Sequence, residues 1–347
     1  MVGVDWRKLY AQNQAAIAAS GVRPPAPPLV ELPTALASDE RTTIPRHPPL
    51  MPRGHRAPAD PHRHQPAAGS ARRRESHAND HVLVHVPPDL DPSVPVAAVC
   101  MLHGCTQDPS MFAAATAMNI TADRHGFVVI YPGQERARNA QGCWNWFLPA
   151  HQHRGAGEPE LIAGIARQLM ANECGQTLDP ARMFVAGLSS GGAMALILAA
   201  CYPDLFAAVA IHSGLPYRSA DDVASAFAVM GRADATRAHN GRAIYAAMGD
   251  HARPLPSLVI HGTADRTVAP ENARRILAQL MHANHLAAPE TCRHDPARPS
   301  ISQHERAGGG LTYTHDRWLD THGTLMHESI EVQDLGHTWS GGVPGGS

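Results

Sequence analysis

Short apolar runs alternate along the chain with longer segments whose apolar residues recur at helical spacing. Five of these runs are largely apolar, which is typical of strands buried on both faces of a sheet: 96–102, 127–131, 183–188, 207–211 and 257–261. Helical spacing is found in four segments: 111–125, 159–172, 221–230 and 270–285. Because strands and helices alternate, we predict an α/β fold with a mostly parallel central sheet and helices on both faces.

Shorter features complete this domain. A first strand is predicted at 81–86, and residues 132–158 form a loop-rich insertion. After a Gly-rich spacer that ends at Gly310, segments 311–319 and 326–332 predict a hairpin. The reactive groups of such a sheet are expected at the carboxyl ends of its strands.

The N-terminal part differs in composition. Residues 4–19 predict a short amphipathic helix, whereas residues 21–79 are rich in proline, which fits neither a helix interior nor a central strand. We therefore expect residues 1–79 to be a short helix followed by a disordered linker, and residues 80–347 to form the α/β domain.

Charge and hydropathy exclude some partners. The chain has 347 residues and a formal net charge of −2, with a pI near 6.9, so nothing favours nucleic acid or a membrane surface. No run of about 18 apolar residues predicts a transmembrane segment. Residues 1–20 lack the uninterrupted apolar centre of a secretory signal. The sequence gives no indication of the oligomeric state.

Cysteine and histidine usage bears on metal sites. Six cysteines without a C-x-x-C pair predict neither a disulfide scaffold nor structural zinc. The 23 histidines are spread along the chain. His62 with His64, or His151 with His153, could hold a metal adventitiously, but no carboxylate or cysteine has matching spacing. We interpret them as loop residues and predict no metal and no cofactor.

The strongest local motif is G-x-S-x-G at residues 187–191. An apolar strand precedes it and an Ala/Leu/Ile-rich helical run follows it, which is the strand–turn–helix context of a serine nucleophile. The glycines are needed because the turn leaves no room for side chains, and the helix N-terminus faces the hydroxyl. Ser189 is the predicted nucleophile; an ordinary Gly/Ser turn is the alternative.

A serine hydroxyl needs a histidine base and an acid that orients it. In this arrangement the acid and then the histidine follow the serine in the chain. Asp265 lies in the turn after the predicted strand 257–261, and a simple turn or capping role is its alternative. His337 is the last histidine and follows the strand 326–332 in a Gly-flanked loop. We predict Asp265 as the acid and His337 as the base.

The developing oxyanion needs donors as well. The amide of Ser190, directly after the nucleophile, is one candidate. The second is assigned to Cys105, in the loop that follows strand 96–102. Trp144, Trp146 and Trp339 lie in motifs beside the site, where they would form flat apolar walls for substrate; ordinary core packing is the alternative.

Taken in order, seven motifs resemble the polyhydroxybutyrate-depolymerase family of esterases, a group related to feruloyl and acetylxylan esterases. They are LHGCTQ (102–107), CWNWF (143–147), GEP (157–159), GLSSGGAM (187–194), HSG (212–214), HGTAD (261–265) and GHTWSGG (336–342). The resemblance covers the chain from about residue 80 onward. It implies an α/β-hydrolase fold with Ser189, Asp265 and His337 as the triad.

The resemblance carries further expectations. Relatives pair the positions of Cys105 and Cys143, which implies a disulfide; two reduced thiols are the alternative. Relatives also continue into a closing helix after the GHTWSGG motif, whereas this chain ends at Ser347. The absent helix predicts uncovered sheet surface, hence lower stability or self-association. Family members are often extracellular, but the chain shows no signal peptide, so a cytoplasmic location stays open.

The expected activity is hydrolysis of short 3-hydroxyalkanoate esters and oligomers through an acyl-enzyme. Soluble substrates are expected to be cleaved better than solid polyester, because no polymer-binding domain is visible. Three alternatives remain: a feruloyl or acetylxylan-type esterase, a peptidase or acyltransferase on the same fold, and a catalytically inert binding protein.

Overall fold

The computed structural model describes residues 82–231, 241–307 and 310–342. The predicted helix at 4–19 and the Pro-rich segment 21–79 lie outside the described residues. None of the helices in the described ranges combines the length and the apolar character that crossing a membrane requires.

The strands of the described residues form one nine-stranded sheet. They are β1 (Val82–His85), β2 (Val96–Leu102), β3 (Val128–Pro132), β4 (Leu178–Leu188), β5 (Ala208–His212), β6 (Ser257–Gly262), β7 (Ile301–Arg306), β8 (Thr312–Leu319) and β9 (Leu325–Val332). Their order across the sheet is β1-β3-β2-β4-β5-β6-β9-β8-β7.

The six strands from β3 to β9 in this order pair in parallel, while β1, β8 and β7 pair antiparallel at the two edges. The prediction of a mostly parallel α/β sheet and of the β8–β9 hairpin is therefore confirmed. Because β2, β4, β6 and β9 run the same way, the loops after them meet at one edge of the sheet.

Seven α-helices of the described residues cover the sheet. They are α1 (Pro109–Thr116), α2 (Met118–His125), α3 (Gly157–Gln168), α4 (Ser190–Cys201), α5 (Val223–Gly231), α6 (Arg242–Met248) and α7 (Glu271–Ala287). Short 3₁₀ turns lie at Pro149–His151 and Gly249–His251, and a π-turn at Leu169–Glu173 extends α3. Every residue of α4 is buried, which explains why this helix is apolar on all sides.

The structure departs from the predicted elements in three places. The predicted helix 111–125 is split, because Ala117 adopts a left-handed conformation with φ 52° between α1 and α2. The short helix α6 was missed, although Ile244 and Met248 are buried at helical spacing. The edge strand β7 was missed as well, because its sequence is mostly polar and gives no apolar signal.

Candidate active site

Ser189 lies at the sharp turn between β4 and α4. Its backbone has φ 58° and ψ −120°, a conformation that L-residues rarely adopt. A Cβ atom on Gly187 would overlap the carbonyl oxygen of Gly191, and a Cβ on Gly191 would overlap that of Leu102. The two glycines of the motif are therefore required by close backbone contacts, and the strand–turn–helix prediction is confirmed.

The helix that follows the turn favours negative charge at Ser189. Ser190 is the first residue of α4, so its amide has no carbonyl one turn earlier in the helix to bond to. The positive end of the helix dipole lies at the same place. An oxyanion that forms beside Ser189 Oγ would meet this amide.

Asp265 and His337 meet directly at the edge of the sheet. Asp265 follows β6 and His337 follows β9, and His337 Nδ1 donates to Asp265 Oδ2 at 2.7 Å. The other carboxylate oxygen of Asp265 accepts the amides of Thr267 and Val268, each at 2.9 Å. The structure thus brings together the acid and the base that the sequence predicted.

The protonation state of Asp265 follows from these contacts. Burial alone would raise the pKa of the carboxyl group. Hydrogen bonds from His261, His337 and the Val268 amide outweigh that effect and hold the pKa well below its usual range. Asp265 is therefore an anion at neutral pH, placed to orient the His337 ring.

His212, at the end of β5, connects the serine turn to the loop that carries His337. Its carbonyl oxygen accepts the Ser189 amide at 2.9 Å, and its ring Nε2 accepts the Ser340 amide at 3.0 Å. No hydrogen bond of the described residues joins the Ser189 hydroxyl to His337. In enzymes without substrate this contact is often long and tightens in the complex.

The loop after β2 packs against the start of α4. Cys105 Sγ lies 3.4 Å from Ser190 Oγ, and Cys105 is bonded to Cys143 in a disulfide. The disulfide that the resemblance implied is therefore present in the structure. The Thr106 amide donates to Gln141 at 2.7 Å, so the two loops are joined by backbone as well.

His103 orients the peptide unit between Gly104 and Cys105. The Gln134 amide donates to His103 Nε2 at 3.1 Å, so Nδ1 carries the hydrogen and donates to Gly104 O at 2.8 Å. Burial lowers the pKa of His103 and keeps the ring neutral. Because C=O and N–H of a trans peptide point in opposite directions, the Cys105 amide points away from His103.

The three tryptophans differ in their surroundings. Trp144 and Trp146 are only 3% and 4% exposed and belong to the core; the Trp144 indole N–H donates to the His103 carbonyl at 3.1 Å. This burial leaves them little surface for a substrate. Trp339 is partly exposed and packs between the rings of Phe112 and His212.

A buried carboxylate that the sequence reasoning did not single out holds the tryptophan-bearing loop. Glu158 is 1% exposed and accepts hydrogen bonds from Gln134 Nε2 at 2.5 Å, from the Asn145 amide at 2.7 Å and from Asn145 Nδ2 at 2.6 Å. Burial would raise the pKa of Glu158, but these hydrogen bonds and His151 lower it. Glu158 lies in the GEP motif and His212 in the HSG motif, and these two motifs were the sequence signal that could have identified both residues.

Of the two histidine pairs considered for metal binding, the one among the described residues contacts a carboxylate and a guanidinium group. His151 lies 3.3 Å from Glu158, and His153 contacts the Arg218 guanidinium at 2.8 Å. His62 and His64 lie outside the described residues.

Comparisons with known proteins show which family the chain resembles. The sequence profile of the family described as "Esterase PHB depolymerase" matches residues 84–299. Poly(3-hydroxyalkanoate) depolymerase C of Paucimonas lemoignei is 33% identical over 261 residues, 75% of this chain and 58% of that protein. Feruloyl esterase B of Neurospora crassa is 34% identical over 148 residues, 43% of this chain and 48% of that protein.

This chain therefore spans about half the length of the curated relatives it matches. Among solved structures, an acetyl xylan esterase from Aspergillus awamori superposes with a TM-score of 0.61 at 23% identity, covering 74% of this chain and 88% of that one. That likeness shows the α/β-hydrolase fold. The profile match covers more than half of the chain, and the protein belongs to the esterase PHB depolymerase family of carboxylic ester hydrolases.

Proposed function

We propose that this protein hydrolyses carboxylic esters through an acyl-enzyme formed on Ser189. The observation that carries the proposal is the 2.7 Å hydrogen bond between His337 and Asp265, at the sheet edge where Ser189 stands in a strained turn. An ionised acid, an oriented imidazole and a serine at a helix N-terminus are the parts that acyl transfer needs.

The reaction has two halves. His337 Nε2 accepts the proton of Ser189 Oγ while Oγ attacks the ester carbonyl, and the imidazolium is stabilised by Asp265. The tetrahedral intermediate then collapses, the alcohol leaves with the proton from His337, and the acyl group stays on Oγ. Water, deprotonated by the same imidazole, attacks the acyl-enzyme, and the acid is released with Ser189 restored.

The amides of Ser190 and Cys105 serve as the oxyanion donors in this proposal. Ser190 N is supported by its place at the start of α4, and Cys105 N by the orientation that His103 gives its peptide unit. Each such donor contributes on the order of 3 kcal/mol to lowering the barrier. The disulfide to Cys143 would keep the Cys105 amide in place.

The tryptophans take different roles in the proposal. Trp339, partly exposed and next but one to His337, is proposed as an apolar wall for the acyl chain. Trp144 is better supported as a residue that holds the oxyanion loop in place, since its indole N–H donates to the carbonyl oxygen of His103. Trp146 is proposed to act only through packing.

For the substrate we propose esters of short 3-hydroxy acids and their soluble oligomers. The relative that matches three quarters of this chain is named a poly(3-hydroxyalkanoate) depolymerase, which supports this class. Aryl esters such as feruloyl esters come second, supported by the shorter match to a feruloyl esterase. The chemistry at Ser189 would be the same for both.

Covalent labelling tests the nucleophile. A fluorophosphonate probe should label the wild-type protein and should fail to label Ser189→Ala, while exposed Ser110→Ala should be labelled like wild type. An unlabelled wild type would favour the inert binding protein. Labelling of Ser189→Ala would remove Ser189 as the nucleophile.

A substrate panel tests the class. We expect kcat/KM to be highest for a 3-hydroxybutyrate dimer and p-nitrophenyl butyrate and lower for methyl ferulate. A clear preference for the ferulate would reverse the order, and cleavage of an amide analogue at comparable kcat/KM would point to a peptidase.

A further inference from the structure

His212 is a buried polar residue that contacts both sides of the candidate site. It is 1% exposed and ends β5, between the strands that carry Ser189 and Asp265. Its carbonyl oxygen accepts the Ser189 amide at 2.9 Å, while its ring reaches the loop after β9. The backbone and the side chain of one residue therefore contact two different parts of the site.

The ring contact is directional. The Ser340 amide lies 3.0 Å from His212 Nε2, and Ser340 Oγ lies 3.0 Å from the same nitrogen. Because a backbone amide can only donate, Nε2 carries the lone pair and the hydrogen is on Nδ1, which faces Ser213 Oγ at 3.2 Å. Ser340 stands three residues after His337, so this hydrogen bond fixes the loop close to the base.

The surroundings keep this ring neutral. Burial, together with His261 and His337, lowers the pKa of His212 to about 3, although Asp265 acts in the opposite direction. A neutral ring accepts the Ser340 amide at neutral pH. It also avoids a second cation beside His337 when that residue takes up a proton.

Other contacts hold the same loop without His212. Trp339 packs edge-on against Phe112 with ring centres 5.6 Å apart, and a Cβ on Gly342 would overlap the Ala115 carbonyl, so the loop backbone lies directly on α1. At the other end Leu335 accepts the Ala264 amide at 3.1 Å. Loss of the His212 ring would shift the loop rather than release it.

We propose that His212 is a positioning residue that sets the distance between the Ser189 hydroxyl and the His337 imidazole by holding the Ser340 amide. The proposal rests on the proposed function, since it assigns His337 as the base for Ser189. The effect is expected mainly in kcat, because the loop segment that His212 holds carries the base, whereas Trp339, the proposed substrate wall, also packs against Phe112.

Three substitutions test the ring contact. His212→Gln retains an acceptor near the position of Nε2, whereas His212→Asn is too short to reach Ser340 and His212→Phe keeps only the stacking on Trp339. A displacement of about 1 Å costs on the order of 100-fold in rate, so we expect the Asn and Phe variants to lose about 100-fold in kcat with KM changed by less than about threefold. His212→Gln should recover at least about tenfold of that loss.

His327→Gln is the matched control, because His327 is another fully buried histidine, bonded to Ser257 and Asn284 away from the site. It should keep the wild-type kcat even if it melts earlier. Thermal melting of each variant, measured together with kcat, identifies any variant that does not fold. If His212→Phe does not fold, the comparison of kcat between His212→Gln and His212→Asn still tests the proposal.

The outcomes separate the two proposals. Wild-type protein without esterase activity or probe labelling overturns the proposed function and this role with it. An active wild type with unchanged kcat in His212→Asn, or with Gln and Asn variants impaired equally, overturns the positioning role alone. An equal loss of kcat in His327→Gln would also overturn it, because replacing any buried histidine would then lower kcat.

Discussion

His337 Nδ1 donates to Asp265 Oδ2 at 2.7 Å, while Thr267 and Val268 hold the second carboxylate oxygen. The carboxylate is fixed on both sides, so it can hold the imidazole in one tautomer and one orientation. Nδ1 carries the hydrogen, and Nε2 is left free to accept a proton.

Replacing members of this group should give graded losses of activity. Ser189→Ala and His337→Ala should each lower kcat by on the order of 10⁶-fold, and the double variant should add little, because the residues act as a unit. Asp265→Asn should cost about 10⁴-fold, since the amide can place the wrong His337 nitrogen toward Ser189. Steady-state kinetics on p-nitrophenyl butyrate measures this, and additive losses in the double variant would contradict it.

The sequence predicted these three residues because chain order and strand ends are visible in it. The apolar strands before Ser189, Asp265 and His337 end at the same edge of a parallel sheet, so proximity follows from topology. The contacts of His212 and Glu158 were not predictable in the same way. They depend on which loop atoms meet across the edge, and neither hydropathy nor spacing encodes that.

The tryptophans illustrate the same limit. A motif rich in tryptophan predicts either a substrate wall or a core contact, and only burial separates the two. Trp144 and Trp146 are turned into the core and Trp339 is partly exposed, although all three lie beside the site in the sequence. The polar edge strand Ile301–Arg306 was missed because its pairing with β8, and not apolar content, defines it.

The disulfide between Cys105 and Cys143 should stabilise both the fold and the site. It closes a chain segment of 38 residues, for which the chain-entropy relation gives about 4 kcal/mol. Cys105→Ser with Cys143→Ser should therefore unfold at lower urea concentration and lose kcat more than KM, because the Cys105 amide is less well held. Cys292→Ser, which removes a buried free thiol, is the control.

Peptide mapping of a non-reduced digest gives an independent check on this bond. It should recover the peptides of Cys105 and Cys143 joined. Both thiols free in active protein would show that the bond is dispensable, and a double variant with wild-type stability would contradict the predicted contribution.

Glu158 should contribute stability through its hydrogen bonds. In Glu158→Gln an NH₂ group faces donors from Gln134 and Asn145, and leaving such groups unpaired costs about 2–3 kcal/mol. Since Gln134 also donates to His103, we expect kcat to fall as well. Urea unfolding measures the first effect, with the exposed Glu290→Gln as control. Equal stability of the two variants would argue against the role.

His327 should make the fold sensitive to mild acid. Its ring is buried between β6 and α7: Nδ1 donates to Ser257 Oγ at 2.8 Å, and Nε2 accepts from Asn284 at 3.1 Å. Burial, with His294 nearby, lowers the pKa of His327 to about 3. The folded protein therefore keeps the ring neutral, while the unfolded chain takes up a proton below a pKa of about 6.5.

The sign follows from proton binding. Between about pH 6.5 and 3 the unfolded state holds one proton more than the folded state. The contribution of His327 to the unfolding free energy is therefore fully present above about pH 6.5, and it decreases by about 1.4 kcal/mol for each pH unit below that. His327→Gln should flatten the dependence of the unfolding free energy on pH by that slope, although it lowers stability at neutral pH. Exposed His322→Gln controls for the loss of an imidazole. Urea unfolding at pH 7.5, 6 and 5 tests this, and parallel curves for wild type and His327→Gln would show that His327 is already protonated in the fold.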